Sequence, residues 1–200
     1  LYWYFRNIHN YSPFRSRLKI YSNYYLFGQV LIDKVAGMAG FGQKFTYDFD
    51  GEEYLREMKE GGLLISAHIG NWEMAGNLLQ RLDQPFNIVM YDEEHEKIKD
   101  FLDEVMVEKN LKVIPLRDDL SHIIKIKEAL DNNELIAIHG DRFMEGSKTL
   151  EGNFMGHKAL FPEGPFYLAL RLKAPVSFVF AMKEKKFHYH FYATPAKVYS

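Results

Sequence analysis

A short apolar run that leads directly into a helical pattern limits the possible folds of this chain more than any other feature. The run from Leu63 to Ala67 follows a glycine pair, as expected for a strand that is buried on both faces. Asn71 can cap the helix that follows, and Glu73 lies in its first turn, where a negative charge suits the helix dipole. The unit predicts an open α/β sheet, in which strand ends and helix starts meet at a crevice.

His68 stands between this strand and helix, at the edge of the sheet where ligands bind. Gly70 lets the backbone turn sharply, and Glu73, one turn into the helix, can reach back to the imidazole. Such a carboxylate fixes the tautomer of the ring and stabilises the imidazolium, while the other ring nitrogen takes a proton from a hydroxyl or amine. A lone histidine at a strand end is usually structural, but this combination predicts that His68 and Glu73 are catalytic.

The alternation of strand and helix continues along the chain. Strands are predicted at 45–49, 63–67, 86–91, 112–116, 134–139 and 176–182, and helices at 52–59, 93–110 and 119–130. This order predicts an α/β fold with a central, largely parallel or mixed β-sheet flanked by helices. Residues 187–194 are predicted to return beside strand 176–182 as a C-terminal β-hairpin. We expect one domain over residues 1–200, within a longer polypeptide.

Two helices are assigned to particular faces by the spacing of their apolar residues. In helix 119–130 the residues predicted to point inward are Leu120, Ile123, Ile124 and Leu130. In the N-terminal region, about residues 1–40, aromatic helices broken near Ser12-Pro13 are expected to pack on the domain. Their predicted apolar stripe is formed by Phe27, Val30, Leu31 and Val35.

Composition narrows the class of function. The formal net charge is -2 and no block of basic residues occurs, so we exclude nucleic acid as a partner. The chain has no cysteine, which excludes disulfides and thiolate chemistry. Aromatic residues make up 16% of the chain and cluster at its start, beside Arg15, Arg17 and Lys19. This pattern suits a membrane interface, and helix-core aromatics explain it equally well.

A second polar cluster follows the predicted strand 134–139. If the two strands are parallel neighbours, Asp141 and Arg142 open onto the same crevice as His68. Arg142 can bind a phosphate, a carboxylate or a developing oxyanion, and Asp141 can orient Arg142 or the acceptor. A structural turn with an ion pair is the alternative for this cluster.

A third group of residues belongs to the segment that precedes the apolar run 166–172. We predict that residues 154–165 form a loop and that a helix begins at Pro165, with Gly164 allowing close approach of a ligand to the backbone. Such a helix start can hold an anionic or carbonyl group. The candidate substrate-binding residues are therefore Asn71, Asp141, Arg142, Gly164 and Pro165.

A metal-dependent hydrolase is an alternative function, because the chain contains histidine and aspartate side chains that can bind a metal ion. The possible ligands are His68, His139, Asp141, His188 and His190. His188 and His190 share one face of a predicted strand, which more often is a solvated face than a metal site. No His-Glu-x-x-His helix occurs in the chain.

Three motifs in order resemble those of the lysophospholipid acyltransferase superfamily. They are His68-Ile69-Gly70-Asn71-Trp72-Glu73, Gly140-Asp141-Arg142 and Phe161-Pro162-Glu163-Gly164-Pro165. The chain looks most like the branch that contains the lipid A biosynthesis acyltransferases of Gram-negative bacteria, and the resemblance covers nearly its whole length. In the glycerol-phosphate branch, a Phe-Pro-Glu-Gly-Thr-Arg motif ends the strand about 70 residues after the histidine. Here Gly140-Asp141-Arg142 occupies that place, which makes Arg142 the expected anion-binding residue.

The resemblance implies an acyl transfer with His68 as general base and Glu73 as its partner. It implies an acyl thioester donor, either acyl carrier protein or coenzyme A, and an acceptor hydroxyl or amine on a lipid or glycolipid. It also implies no cofactor, no metal ion and a place at the cytoplasmic face of the bacterial inner membrane. A non-catalytic lipid-binding relative with the same scaffold is a further alternative.

Overall fold

The computed structural model describes residues 1–39, 41–71, 74, 82, 84–91, 111–117 and 119–200. The strands in this part of the chain are β1 Thr46–Asp50, β2 Gly62–Ser66, β3 Phe86–Tyr91, β4 Leu111–Leu116, β5 Leu135–His139, β6 Thr149–Phe154, β7 His157–Pro162, β8 Val176–Lys185 and β9 His188–Ala193. The helices are α1 Tyr2–Asn7, α2 Pro13–Met38, α3 Glu52–Glu57, α4 Ser121–Asp131 and α5 Glu163–Leu172, with a 3-10 turn at Phe41–Lys44.

Seven of these described strands form one mixed sheet in the order β1-β9-β8-β2-β5-β3-β4. The five strands from β8 to β4 run parallel to one another, while β9 pairs antiparallel with β8 and β1 parallel with β9. The predicted α/β fold, its largely parallel sheet and its C-terminal hairpin are confirmed. Short apolar strands occupy the centre of the sheet because side chains on both of their faces are buried.

Each face of the sheet carries its own apolar layer, because successive side chains of a strand point to opposite faces. Leu64 belongs to the layer that includes α3, Met74 and the aromatic residues of β9. Its neighbours Leu63 and Ile65 belong to the other layer, which α4 and α5 cover. The sheet is therefore enclosed between helices, and its strand ends are left for the loops that carry polar residues.

The structure corrects the predicted inward face of α4. Ile126 and Ala129 are buried, with Ile123 and Leu130 packed beside them, but Leu120 and Ile124 are 59% and 63% exposed. Leu120 adopts a left-handed conformation before the first turn of α4, so it does not belong to the face of the helix. Ile124 lies outside the inward face of α4, which is formed by Ile123, Ile126, Ala129 and Leu130.

The segment predicted as a loop over 154–165 is largely a β-hairpin. Strands β6 and β7 pair antiparallel in a separate two-stranded sheet. The turn between them is formed by Met155 and Gly156, both with positive φ, as a two-residue hairpin turn requires. Helix α5 then begins at Glu163, so Pro165 is its third residue and not its first. A proline is tolerated there because the first N–H groups of a helix have no partner within it.

The N-terminal helices break at the predicted place. Ser12 caps α2 by accepting a hydrogen bond from the Arg15 N–H at 3.3 Å. The predicted stripe of α2 is wrong, because Phe27, Leu31 and Val35 are 57%, 46% and 63% exposed. The last part of α2 meets the sheet, through the buried Asp33 and the partly buried Ala36. No helix among the described residues is both long and apolar enough to cross a membrane.

Two predicted helices fall partly or wholly outside the described residues. The predicted helix 93–110 lies outside them. In the helix predicted after Asn71, Met74 is helical and Glu73 lies outside the described residues.

Candidate active site

The candidate site forms where β2 and β5 end side by side. The two strands are parallel neighbours, with Ser66 opposite His139, and the Gly140 N–H donates to the Ser66 carbonyl at 2.8 Å. The residues that follow these two strand ends, His68 and Asp141, therefore meet at the same edge of the sheet. The sequence predicted this meeting on the condition that the strands were parallel neighbours, and they are.

Asp141 holds His68 by two hydrogen bonds. Its Oδ1 lies 2.8 Å from His68 Nδ1, and its Oδ2 accepts the His68 backbone N–H at 2.9 Å. A carboxylate accepts and does not donate, so the imidazole carries its proton on Nδ1. The Nε2 atom is then the nitrogen that can take a proton from a substrate. The sequence assigned this partner role to Glu73, and Asp141 occupies it among the described residues.

The electrostatics of Asp141 favour its ionised form. Burial raises the pKa of this carboxyl, but the hydrogen bonds from the His68 ring and backbone outweigh burial and hold the pKa below its usual value. Asp141 is therefore an anion at neutral pH. An anion in this position stabilises the imidazolium that forms when His68 takes a proton.

His139, the last residue of β5, packs its ring against that of His68 in a tilted arrangement. The two ring centroids are 4.1 Å apart, with an interplanar angle of 32°. Burial, together with the neighbouring His68, lowers the pKa of His139 to about 4. His139 is therefore neutral at neutral pH and adds no positive charge beside a protonated His68. The sequence singled out His139 as a possible metal ligand. The signal for its place beside His68 was that it ends the predicted strand 134–139, directly before Asp141.

The turn after His68 is tightly fixed. Gly70 has φ of +70°, and a Cβ added to it would lie 1.7 Å from the Ala181 carbonyl oxygen of β8. The Asn71 N–H donates to that same carbonyl at 2.9 Å. The Asn71 side chain is 1% exposed, and its Oδ1 accepts the Met74 N–H at 3.4 Å. The geometry therefore favours a helix-capping role for Asn71 over the substrate contact expected from the sequence.

The other predicted substrate-binding residues lie along the same edge. Arg142 is exposed, and its charge contributes to lowering the pKa of His139. A Cβ at Gly140 would lie 3.5 Å from the Phe166 ring, so α5 starts beside the end of β5. Gly164 is exposed at that start, with open space around it, and Pro165 is buried. Arg142 and Gly164 are thus accessible, whereas Pro165 is buried.

Three of the five possible metal ligands come together. Ligand atoms of His68, His139 and Asp141 lie within 4.8 Å of one another, which would suit a metal ion with two imidazoles and one carboxylate. His188 and His190 belong instead to a separate cluster on β9. There His188 Nε2 lies 3.4 Å from Asp48, and His190 Nε2 lies 3.3 Å from Asp50.

Comparison with known proteins assigns the chain to a family. No curated protein matches the chain. The family model described as bacterial lipid A biosynthesis acyltransferase matches residues 33–199, which takes in every strand of the sheet and both strand-end clusters. Because this match covers most of the chain, the chain belongs to the bacterial lipid A biosynthesis acyltransferase family.

Proposed function

We propose that this protein transfers a fatty acyl group from a thioester donor to a hydroxyl or amine of a lipid or glycolipid, with His68 as general base. The observation that carries the proposal is the pair of hydrogen bonds between His68 and Asp141. They leave Nε2 of His68 as the proton acceptor and supply a counter-charge for the imidazolium. Glu73, which the sequence pairs with His68, lies outside the described residues and stays a predicted second carboxylate.

The reaction runs through one tetrahedral intermediate. Nε2 of His68 takes the proton of the acceptor group as its oxygen or nitrogen attacks the thioester carbonyl carbon. The carbonyl π electrons move to the oxygen, and the exposed guanidinium of Arg142 is the candidate to stabilise that charge. When the intermediate collapses, the carbon–sulfur bond breaks and the imidazolium returns its proton to the leaving thiolate. An ester or amide and a free thiol are formed.

Acyl carrier protein and coenzyme A both fit as donor, since each presents the acyl group as a thioester. For the acceptor we propose a lipid or glycolipid held at the cytoplasmic face of a bacterial inner membrane. The exposed apolar residues of α2 and the basic residues around its start support work at a membrane surface.

The test is thioester turnover by purified protein. Acyl carrier protein and coenzyme A thioesters are offered with a panel of lipid and glycolipid acceptors, and the acylated product is identified by mass spectrometry. We expect product formation by the natural protein and its loss in His68→Ala. Full activity of folded His68→Ala would overturn the proposal, and binding of lipids without turnover would favour a non-catalytic relative.

The group of His68, His139 and Asp141 supports a metal-dependent hydrolase as a second candidate. Its ligand chemistry suits a first-row divalent ion. Elemental analysis of protein purified without added metal separates the two candidates. A stoichiometric metal ion that the His139→Ala variant loses would favour the hydrolase, whereas thioester turnover that withstands a chelator would favour acyl transfer.

A further inference from the structure

A buried polar cluster, outside the residues already discussed as catalytic, joins α2 to the turn that carries His68. Its members are Asp33 of α2, Lys183 of β8, Tyr189 of β9 and Asn71. Asp33 is 4% exposed and Tyr189 is fully buried. Buried ion pairs are often replaceable by apolar residues without loss of stability, so stability alone does not explain this one.

The hydrogen bonds in this cluster have a defined direction. Tyr189 donates its hydroxyl proton to Asp33 Oδ2 at 2.7 Å, and Lys183 donates to the same oxygen. Burial and the hydrogen bond to Asp33 raise the pKa of Tyr189, so its hydroxyl stays protonated. With its proton committed to Asp33, the Tyr189 oxygen offers its lone pairs to the Asn71 side-chain amide, 3.4 Å away.

The hydrogen bonds of Asn71 connect this cluster to the turn that follows His68. Its Nδ2 donates to the Tyr189 oxygen and also to the Val30 carbonyl of α2, at 3.3 Å. Its Oδ1 is thereby turned toward the Met74 N–H, and its own backbone N–H is bound to β8. Asn71 lies three positions after His68. A close backbone contact at Gly70 leaves the turn between them little freedom.

We propose that Asp33 is a positioning residue for His68 and acts through Tyr189 and Asn71. The proposal rests on the acyl-transfer function stated above. Asp141 fixes one side of His68, and this cluster fixes the chain on the other side, so Nε2 of His68 is held at one place relative to the substrate. Because acyl transfer needs a near-attack geometry, loss of the cluster lowers the rate of the chemical step more than substrate binding.

The first variant is Tyr189→Phe, which removes only the hydroxyl and keeps the ring and the Asp33–Lys183 pair. The matched control is Ser177→Ala, which removes another buried hydroxyl of the same sheet, one that donates to the Thr194 carbonyl at 2.6 Å. We expect Tyr189→Phe to lower kcat by about tenfold and to change KM by less than about twofold relative to Ser177→Ala.

The second variant is Asp33→Asn with Lys183→Met. Because both charges are removed together, no unpaired buried charge remains to destabilise the fold. An asparagine at this position can donate to the Tyr189 oxygen, which reverses the direction of the chain of hydrogen bonds. We therefore expect the same loss of kcat in this double variant.

A readout that does not depend on activity separates this proposal from the proposed function. Proteins labelled with 15N-histidine give ring nitrogen chemical shifts, and the His68→Gln variant assigns those of His68. We expect the His68 shifts to change in Tyr189→Phe and in the double variant and to stay unchanged in Ser177→Ala. Unchanged His68 shifts in both test variants would overturn the proposal, whether or not acyl transfer is observed.

Discussion

His68 and Asp141 lie 73 residues apart in the chain, yet two hydrogen bonds join them. The sequence identified both residues as functional, but it predicted that the carboxylate partner of His68 is Glu73, five positions away. Whether a partner distant in sequence reaches His68 depends on the register of two strands. Here Ser66 pairs with His139, and this register brings the residues after the two strands together. At the scale of single residues, the structure thus shows Asp141, which the sequence predicted as a substrate contact, holding His68.

His139 makes stability depend on pH in the mildly acidic range. Its pKa is about 4 in the folded protein and about 6.5 when unfolded, so between these values only the unfolded chain binds the proton. Stability is therefore complete above the unfolded pKa and is lost as pH falls toward 4, by roughly 3 kcal/mol over the window. Denaturant unfolding at a series of pH values measures this slope.

The variant His139→Phe keeps a ring against His68 and removes the titrating group. We expect its unfolding free energy to lose that slope between pH 6.5 and 4. The exposed His157, changed to Gln, is the control and should keep the slope of the natural protein. An equal slope in His139→Phe would contradict this account of His139.

At the scale of elements, the turn between β2 and Met74 shows why glycine is required at one position. Gly70 and Gly156 both have positive φ, at +70° and +80°. An added Cβ would strike the Ala181 carbonyl at Gly70 but meets open space at Gly156. The two glycines therefore separate the cost of backbone conformation from the cost of a steric clash.

We expect Gly156→Ala to cost about 1 kcal/mol of unfolding free energy, which is the penalty of the left-handed conformation alone. Gly70→Ala should cost at least about 3 kcal/mol, because the turn must also move away from β8. Thermal and denaturant unfolding measure both values. Equal costs in the two variants would show that the contact between Gly70 and Ala181 is not tight in solution.

The hairpin of β6 and β7 was missed for a specific reason. Two-residue turns of this kind usually carry Asn-Gly, and here Met155 occupies the first position. The central strands were predictable because they are short apolar runs between polar turns. The exposed side of α2 was not predictable, because aromatic and aliphatic residues occur around much of that helix. Its contact with the sheet is made by Asp33 and Ala36.

At the scale of the whole molecule, a net positive charge and exposed apolar side chains occur together at the N-terminal end. Residues 1–32 carry Arg6, Arg15, Arg17 and Lys19 and no acidic residue, although the whole chain has a net charge of -2. Exposed apolar side chains recur on α2 at spacings of three and four residues, at Phe14, Leu18, Tyr21 and Tyr25. Basic and apolar groups on one helix are suited to an anionic lipid surface.

We expect the protein to bind vesicles of phosphatidylglycerol and phosphatidylethanolamine more tightly than vesicles of phosphatidylcholine alone. The double variant Phe14→Ser with Tyr21→Ser should weaken binding by at least about tenfold, since each large apolar side chain contributes about 1.5–3 kcal/mol when buried. The control is Ile124→Ser, which changes a 63% exposed residue of α4. Co-sedimentation measures binding, and equal binding by the double variant and the control would contradict the prediction.

The rate of acyl transfer by Asp141→Asn tests the central claim most directly. The substitution keeps the size of the side chain but removes the anion that fixes the tautomer of His68. We predict that kcat falls by at least about 100-fold, while Asp131→Asn, at an exposed aspartate paired with Lys127, keeps the natural rate. A folded Asp141→Asn variant with the natural rate would contradict the account.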